Sequence, residues 1–174
     1  VVNNEKTLQA IREANEEAEN QSGIKSKVVH VRIAGEHVRS MQHKGIITLN
    51  NPDFEITQDD VLRLHEDMFK IATNPGTEII HVLPQEYTVD SQSGIIDPVG
   101  MSGVRLEGNF HIVTGQTTAA NNIYKCVVRA GLEVAELILE PLASSAAVLT
   151  AEEKAAGVCL VDIGGGTSDI GVVE

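Results

Sequence analysis

Tryptophan is absent from this 174-residue chain, and aromatic residues together make up only 3% of it. A chain of this length can bury a sizeable core, so that core must be built mostly from Val, Ile, Leu and Ala. Cysteine is scarce too. Cys126 and Cys159 stand far apart in apolar surroundings, and each is expected to pack as a small hydrophobe rather than as half of a disulfide. Such usage fits a reducing cytoplasm. Basic residues are few: 13 Lys and Arg against 25 Asp and Glu leave a formal charge of −12. That balance argues against nucleic acid as a main partner, because phosphate contacts need clustered Lys and Arg. It is also unfavourable at an anionic membrane surface. No apolar run is long enough to span a bilayer, and no signal peptide is recognisable. The six histidines show no metal-site spacing.

What the chain does carry is Leu160-Val161-Asp162-Ile163-Gly164-Gly165-Gly166-Thr167-Ser168-Asp169-Ile170-Gly171-Val172-Val173. An apolar run ends in an aspartate, three glycines and two hydroxyl residues follow, and a second aspartate opens another apolar run. Glycine removes the Cβ that keeps a backbone away from a ligand and permits positive φ. Successive N–H groups can then converge on an anion. A carboxylate at the end of a buried strand can hold a hydrated Mg²⁺, which prefers oxygen ligands and keeps several waters. The simplest ligand that needs all of these is a nucleotide polyphosphate with its metal. The loop lacks the lysine of GxxxxGK[ST] and the spacing of GxGxxG. Its flanks predict strand–turn–strand. A plain hairpin turn is the bland alternative, but such turns usually need one or two glycines.

The rest of the chain alternates helical and extended periodicities. Helices are expected over residues 7–19, from Thr57 (with Asp60 at the fourth position of a capping box), over 117–130, and from Pro141 to Leu149. Strands are expected over 27–34, over 38–49 with an interruption near Lys44-Gly45, over 78–83 and 86–90 on either side of Pro84, and over 104–114, 132–139 and 157–162. Residues 93–103 read as a long loop, and Thr150 to Glu153 as the start of a short acidic connection. The fold class is α/β. Residues 1–40 and 116–174 form one discontinuous core, and 41–115 a small α+β unit inserted into it. The chain opens on Val1-Val2 without Met and stops at Glu174, directly after the last apolar run, so a fragment of a longer protein is expected.

The two-aspartate glycine loop resembles the second phosphate loop of the actin/Hsp70/sugar-kinase ATPase superfamily. Leu139-Glu140-Pro141-Leu142-Ala143-Ser144-Ser145-Ala146-Ala147 looks like that superfamily's connecting helix and lies in the expected order. The middle of the chain narrows the match. His81-Val82-Leu83-Pro84-Gln85-Glu86-Tyr87 and Gly94-Ile95-Ile96-Asp97-Pro98-Val99-Gly100-Met101-Ser102-Gly103-Val104-Arg105 are similar to the FtsA family of bacterial cell-division proteins. So are Gly131-Leu132-Glu133-Val134, Leu142-Ala143-Ser144-Ser145 and Val148-Leu149-Thr150.

The resemblance implies a partial actin-like (ribonuclease H-like) ATPase core with an inserted interaction domain. It implies ATP and Mg²⁺ as cofactors of the full-length protein, with binding weak or absent in this fragment. It also implies polymerisation, docking onto the tubulin-like FtsZ, tethering of FtsZ to the inner membrane through a C-terminal amphipathic helix missing here, and recruitment of later division proteins. The location would be the cytoplasmic face of the inner membrane at the division site. Asp162 would hold Mg²⁺ through water. Gly164, Gly165 and Gly166 would present N–H groups to the β- and γ-phosphates, and Thr167 and Ser168 would add hydroxyl donors. Asp169 orients the loop or serves as a turn residue. Glu140 matches the acid that positions the attacking water in hydrolysing relatives, or it simply starts a helix before Pro141, where negative charge is favourable. Hydrolysis would be weak at most, with ATP acting as an assembly switch. Arg105, Glu107 and the 93–103 loop are candidates for protein contact. The competing readings are an active ATPase or kinase of the same superfamily and a pilus-assembly actin-like protein.

Overall fold

The computed structural model describes residues 4–33, 35, 37–49, 55–164 and 168–173. In chain order its elements are α1 (Asn4–Ser22), β1 (Val28–Ile33), β2 (Val38–Thr48), α2 (Gln58–Met68), β3 (Thr77–Val89), β4 (Gln92–Ile95), β5 (Arg105–Gln116), α3 (Thr117–Arg129), β6 (Glu133–Leu139), α4 (Glu140–Val148), α5 (Ala151–Ala156), β7 (Val158–Ile163) and β8 (Ser168–Val173). They fall into two compact units. One joins Val1–His37 to Gln116–Glu174, and the other is Val38–Gly115.

In the discontinuous unit, β1 and β6 pair in parallel from Val28↔Glu133 to Ile33↔Leu139, with a register shift after Val29. A parallel pair needs a crossover. Here α3 supplies it, packing on β6 and on α1. Its apolar stripe buries Ala120, Cys126 and Val127. β6 runs directly into α4, which has Leu139 as its N-cap residue and Pro141 in its first turn. Pro is tolerated there because the first N–H groups of a helix have no intrahelical partner. β7 and β8 then form an antiparallel hairpin, from Val158↔Val173 to Ile163↔Ser168.

Strand alternation gives the hairpin two faces. Leu160, Asp162, Asp169 and Gly171 are half-buried on one, and α4 packs against both strands. Cys159, Val161, Ile163, Ile170 and Val172 are exposed on the other. Cys126 is buried as expected. Cys159 is not, because the alternation that turns Leu160 and Asp162 inward turns it outward.

The second unit is a four-stranded sheet in the order β2-β5-β3-β4 with α2 on one face. Thr57 and Asp60 close the capping box: each side chain accepts a hydrogen bond from the other's backbone N–H. The core lies under α2 and includes Ile47, Ile56, Leu64, Met68, Leu106, Phe110 and Ile112. β2 runs unbroken where the sequence suggested an interruption at Gly45. That glycine sits opposite Gly108 across the β2–β5 ladder. A Cβ on Gly45 would stand 2.8 Å from Leu64 Cδ1, and one on Gly108 2.6 Å from Phe110 Cε2. The glycines therefore let the helix approach the sheet, and they do not mark a break.

β3 likewise runs straight through Pro84. β4 meets β3 only at Tyr87 and Val89, so β3 is an edge at Pro84, where proline is tolerated. The 93–103 loop is shorter and firmer than its glycines suggest. β4 takes its start, Pro98 is fully buried, and Ile56 N–H and Gly100 N–H donate to Met101 O and Ile56 O, each at 2.9 Å.

Candidate functional site

Three carboxylates converge where α4 meets the hairpin. Glu140 is the first residue of α4 and is buried at 8% exposure. Asp162 lies near the end of β7 and Asp169 near the start of β8, and the two are direct cross-strand partners. The small residues of α4 let it sit close. Ser144, one helical turn after Glu140, donates its hydroxyl to Asp162 Oδ2 at 3.3 Å. Gly171 lies under Pro141, and a Cβ there would stand 2.7 Å from Pro141 Cβ. Any side chain at 171 would thus lift the turn that carries Glu140.

Among the described residues one cation pairs with the cluster. Arg32, the penultimate residue of β1, places Nη1 2.6 Å from Glu140 Oε1 and 3.8 Å from Asp162 Oδ2. Its own side chain is half-exposed, at 59%. Parallel pairing of β1 with β6 sets Arg32 against Ile138, two residues before Glu140.

Burial pushes the Glu140 carboxyl above its ordinary pKa. Arg32 opposes that rise, whereas the charges of Asp169 and Asp162, and a hydrogen bond between Glu140 and Asp162, add to it. The carboxylate loses hydration at the foot of α4, and one guanidinium does not offset that loss together with two neighbouring acids.

The donor set suits a hydrated divalent cation. Like charges directly opposed across a ladder are unfavourable, and oxygen ligands are what Mg²⁺ selects. Among the described residues no cluster of three or more His, Cys, Asp or Glu side chains can hold a metal directly. The carboxylates present would fit a cation only through its waters, and Asp162 is the one the sequence singled out for that role.

Of the residues singled out from the sequence, the structure brings Glu140 and Asp162 together. Gly164 is exposed just past β7, and Ser168 is exposed at the start of β8. Gly165, Gly166 and Thr167 lie outside the described residues. Two site residues escaped the sequence reading, Arg32 and Ser144. Arg32 alternates with Val31 and Ile33 in its strand and reads as an ordinary outward residue. Ser144 reads as one more small residue of a closely packed helix.

In the inserted unit, Glu107 is buried at 4% exposure and pairs with both Lys44 and Arg105. The hydrogen bond from Lys44 leads in holding its carboxyl below the ordinary value, with burial opposing and Arg105 assisting. The residues beside it bond to one another as well: Asn109 donates to Glu86 at 2.7 Å, and Gln42 meets His111 at 3.1 Å. Glu107 is thus an internal counter-ion of the sheet.

The discontinuous α/β core, the helix that starts on an acid and the β7–β8 hairpin define an actin-like fold with a small α+β domain inserted. A solved structure of the PilM–PilN type IV pilus biogenesis complex shares this fold, with a TM-score of 0.58 over 96% of this chain and 44% of that one, at 15% identity. The family model for the SHS2 domain inserted in FtsA matches residues 35–114. Over 99% of its length the chain is 46% identical to the cell division protein FtsA of Pseudomonas aeruginosa and 45% identical to that of Neisseria meningitidis. It is 38% identical, over 97% of its length, to the FtsA of Escherichia coli. The chain belongs to the FtsA family of cell-division proteins. It spans about 41% of the length of the first two of these relatives and 40% of the third. Among the described residues no helix is long and apolar enough to cross a membrane.

Proposed function

We propose that the protein carrying this chain is an ATP-binding, actin-like division adaptor. It assembles with itself, tethers FtsZ to the cytoplasmic face of the inner membrane at the division site, and recruits later division proteins through the Val38–Gly115 unit. Membership of the FtsA family supports the division role. The convergence of Glu140, Asp162 and Asp169 where α4 meets the β7–β8 hairpin carries the nucleotide role.

In this reading Asp162 holds Mg²⁺ through water, and the metal offsets charge on the phosphates. Gly164, Gly165 and Gly166 would supply N–H groups, and Thr167 and Ser168 hydroxyls, to the β- and γ-phosphates. Glu140 is the candidate water-positioning acid. It is already engaged by Arg32 at 2.6 Å, which favours a nucleotide that switches assembly over one that is rapidly hydrolysed. ATP then acts by binding one conformation better than another.

The test is calorimetry of ATP binding to the full-length protein with and without Mg²⁺. Asp162→Ala is expected to weaken Mg²⁺-dependent binding on the order of tenfold to a hundredfold, the usual cost of losing a partner of the metal's ligand shell. An unchanged affinity removes the metal role from Asp162.

A further inference from the structure

We propose that Arg32 is the built-in counter-ion of this site, occupying at Asp162 the place of the divalent cation, so that the cation displaces it from Asp162 while it keeps its hold on Glu140. The inference rests on the nucleotide reading above and assigns Arg32 as a positioning residue within it.

Three observations carry it. The same nitrogen, Nη1, serves both acids, but unequally: 2.6 Å to Glu140 and 3.8 Å to Asp162. The first contact is a short charge-assisted pair to a buried carboxylate, whose loss would strand that group. The second is at the outer limit of an ion pair, and the Asp162 side chain is 35% exposed, so solvent competes for it already. Second, the charges do not balance. Among the described residues one guanidinium pairs with Glu140 and Asp162, while Asp169 stands opposite Asp162 on the hairpin, and a divalent cation carries the charge that is missing. Third, the arginine is free to make the exchange. Its side chain is half-exposed, and it comes from the end of β1 rather than from the hairpin or α4, so moving it disturbs neither element that carries the acids.

Arg32 and the metal therefore compete for Asp162. Ser144 is not a competitor, since a neutral hydroxyl can share the carboxylate with a metal-bound water. When the cation arrives, Asp162 turns to it, and Arg32 remains to keep Glu140 charged and oriented. A site with this arrangement stays folded without metal and alters its internal pairing when metal binds.

The test uses the full-length protein and Mg²⁺ alone, followed by thermal unfolding across a magnesium titration, with ATP binding measured in parallel. Arg32→Gln is expected to melt below the parent in metal-free buffer and to gain more from Mg²⁺. Its magnesium midpoint should fall about fivefold, the scale expected for removing one partly screened competing charge. Arg32→Lys keeps the charge and should hold the midpoint within about twofold of the parent. A purely structural role lowers the melting temperature of Arg32→Gln and leaves the midpoint where it was, which overturns the proposal. A midpoint that rises overturns it as well, because the arginine would then be helping the cation. If Arg32→Gln does not fold without metal, Arg32→Lys decides: a midpoint shifted beyond twofold is fatal. Should the parent bind MgATP while Arg32→Gln keeps the parent's midpoint, only this inference falls. If the parent neither responds to Mg²⁺ nor binds ATP, the nucleotide reading falls with it.

Discussion

Asp162 and Asp169 face each other as direct partners across the β7–β8 hairpin, and both raise the proton affinity of Glu140 at the foot of α4. Opposed like charges on adjacent strands cost stability. The fold retains them near the end of the hairpin where the chain passes from β7 to β8. That cost is intelligible if the hairpin spends part of its time with a cation beside it.

Asp169→Asn tests whether the repulsion is real. Removing one of two facing charges should stabilise the metal-free protein by about 0.2–1 kcal/mol, the range for a cross-strand pair. Thermal unfolding in a chelating buffer reads the effect directly. A melting temperature at or below the parent's would show that the two carboxylates are kept apart by something other than distance. The same substitution should shrink the gain from added Mg²⁺, since there is less repulsion left to relieve.

Gly171→Ala tests the seating of α4. Its new methyl would meet Pro141 Cβ at 2.7 Å, and a proline ring in the first turn of a helix cannot rotate away. Overpacking of this kind costs roughly 1–3 kcal/mol. Val172→Ala, on the outer face of the same strand at 76% exposure, is the control and should stay within about 0.5 kcal/mol of the parent. Equal denaturant midpoints for the two variants would mean that α4 can shift at little cost, and that Glu140 is not held by its foundation.

The β7–β8 hairpin and the helix opening on Glu140-Pro141 were legible in the sequence because their signals are local. A run of three glycines between aspartates, or a Glu-Pro start before small residues, means much the same wherever it occurs. Arg32 was not legible, because its role depends on a parallel register between strands more than a hundred residues apart. Nothing within a few residues of Arg32 announces Glu140. The misread strands have a shared cause as well. Gly45 and Pro84 are punctuation by local rules, but in β2 the glycine makes room for Leu64 and in β3 the proline falls on a stretch that β4 does not reach, leaving that side of the strand open. The short acidic connection expected after Thr150 is instead the helix α5, held by a capping box in which Glu153 Oε2 accepts from Thr150 N–H at 2.8 Å. The Thr and Glu of that box stood at the right spacing in the sequence, and the brevity of the segment hid it. Cys159 illustrates a further limit: an apolar neighbourhood in sequence does not say which face of a strand is covered.

Glu107 gives the inserted unit a pH dependence whose sign can be stated. Its carboxyl is held below the ordinary value, led by the hydrogen bond from Lys44. A depressed carboxyl contributes stability above its unfolded pKa and loses it as the pH falls through the folded value. Denaturant unfolding between pH 7 and about pH 3 should therefore show the parent weakening across and below the ordinary carboxylate range, near 4.3. Glu107→Gln cannot be ionised, and it leaves Lys44 and Arg105 without their shared acceptor. It should begin less stable at pH 7, and the gap to the parent should close as the medium becomes acidic. A gap of constant size over that whole range would mean that Glu107 contributes through shape alone, and that its two cations are surface charges with no hold on the sheet.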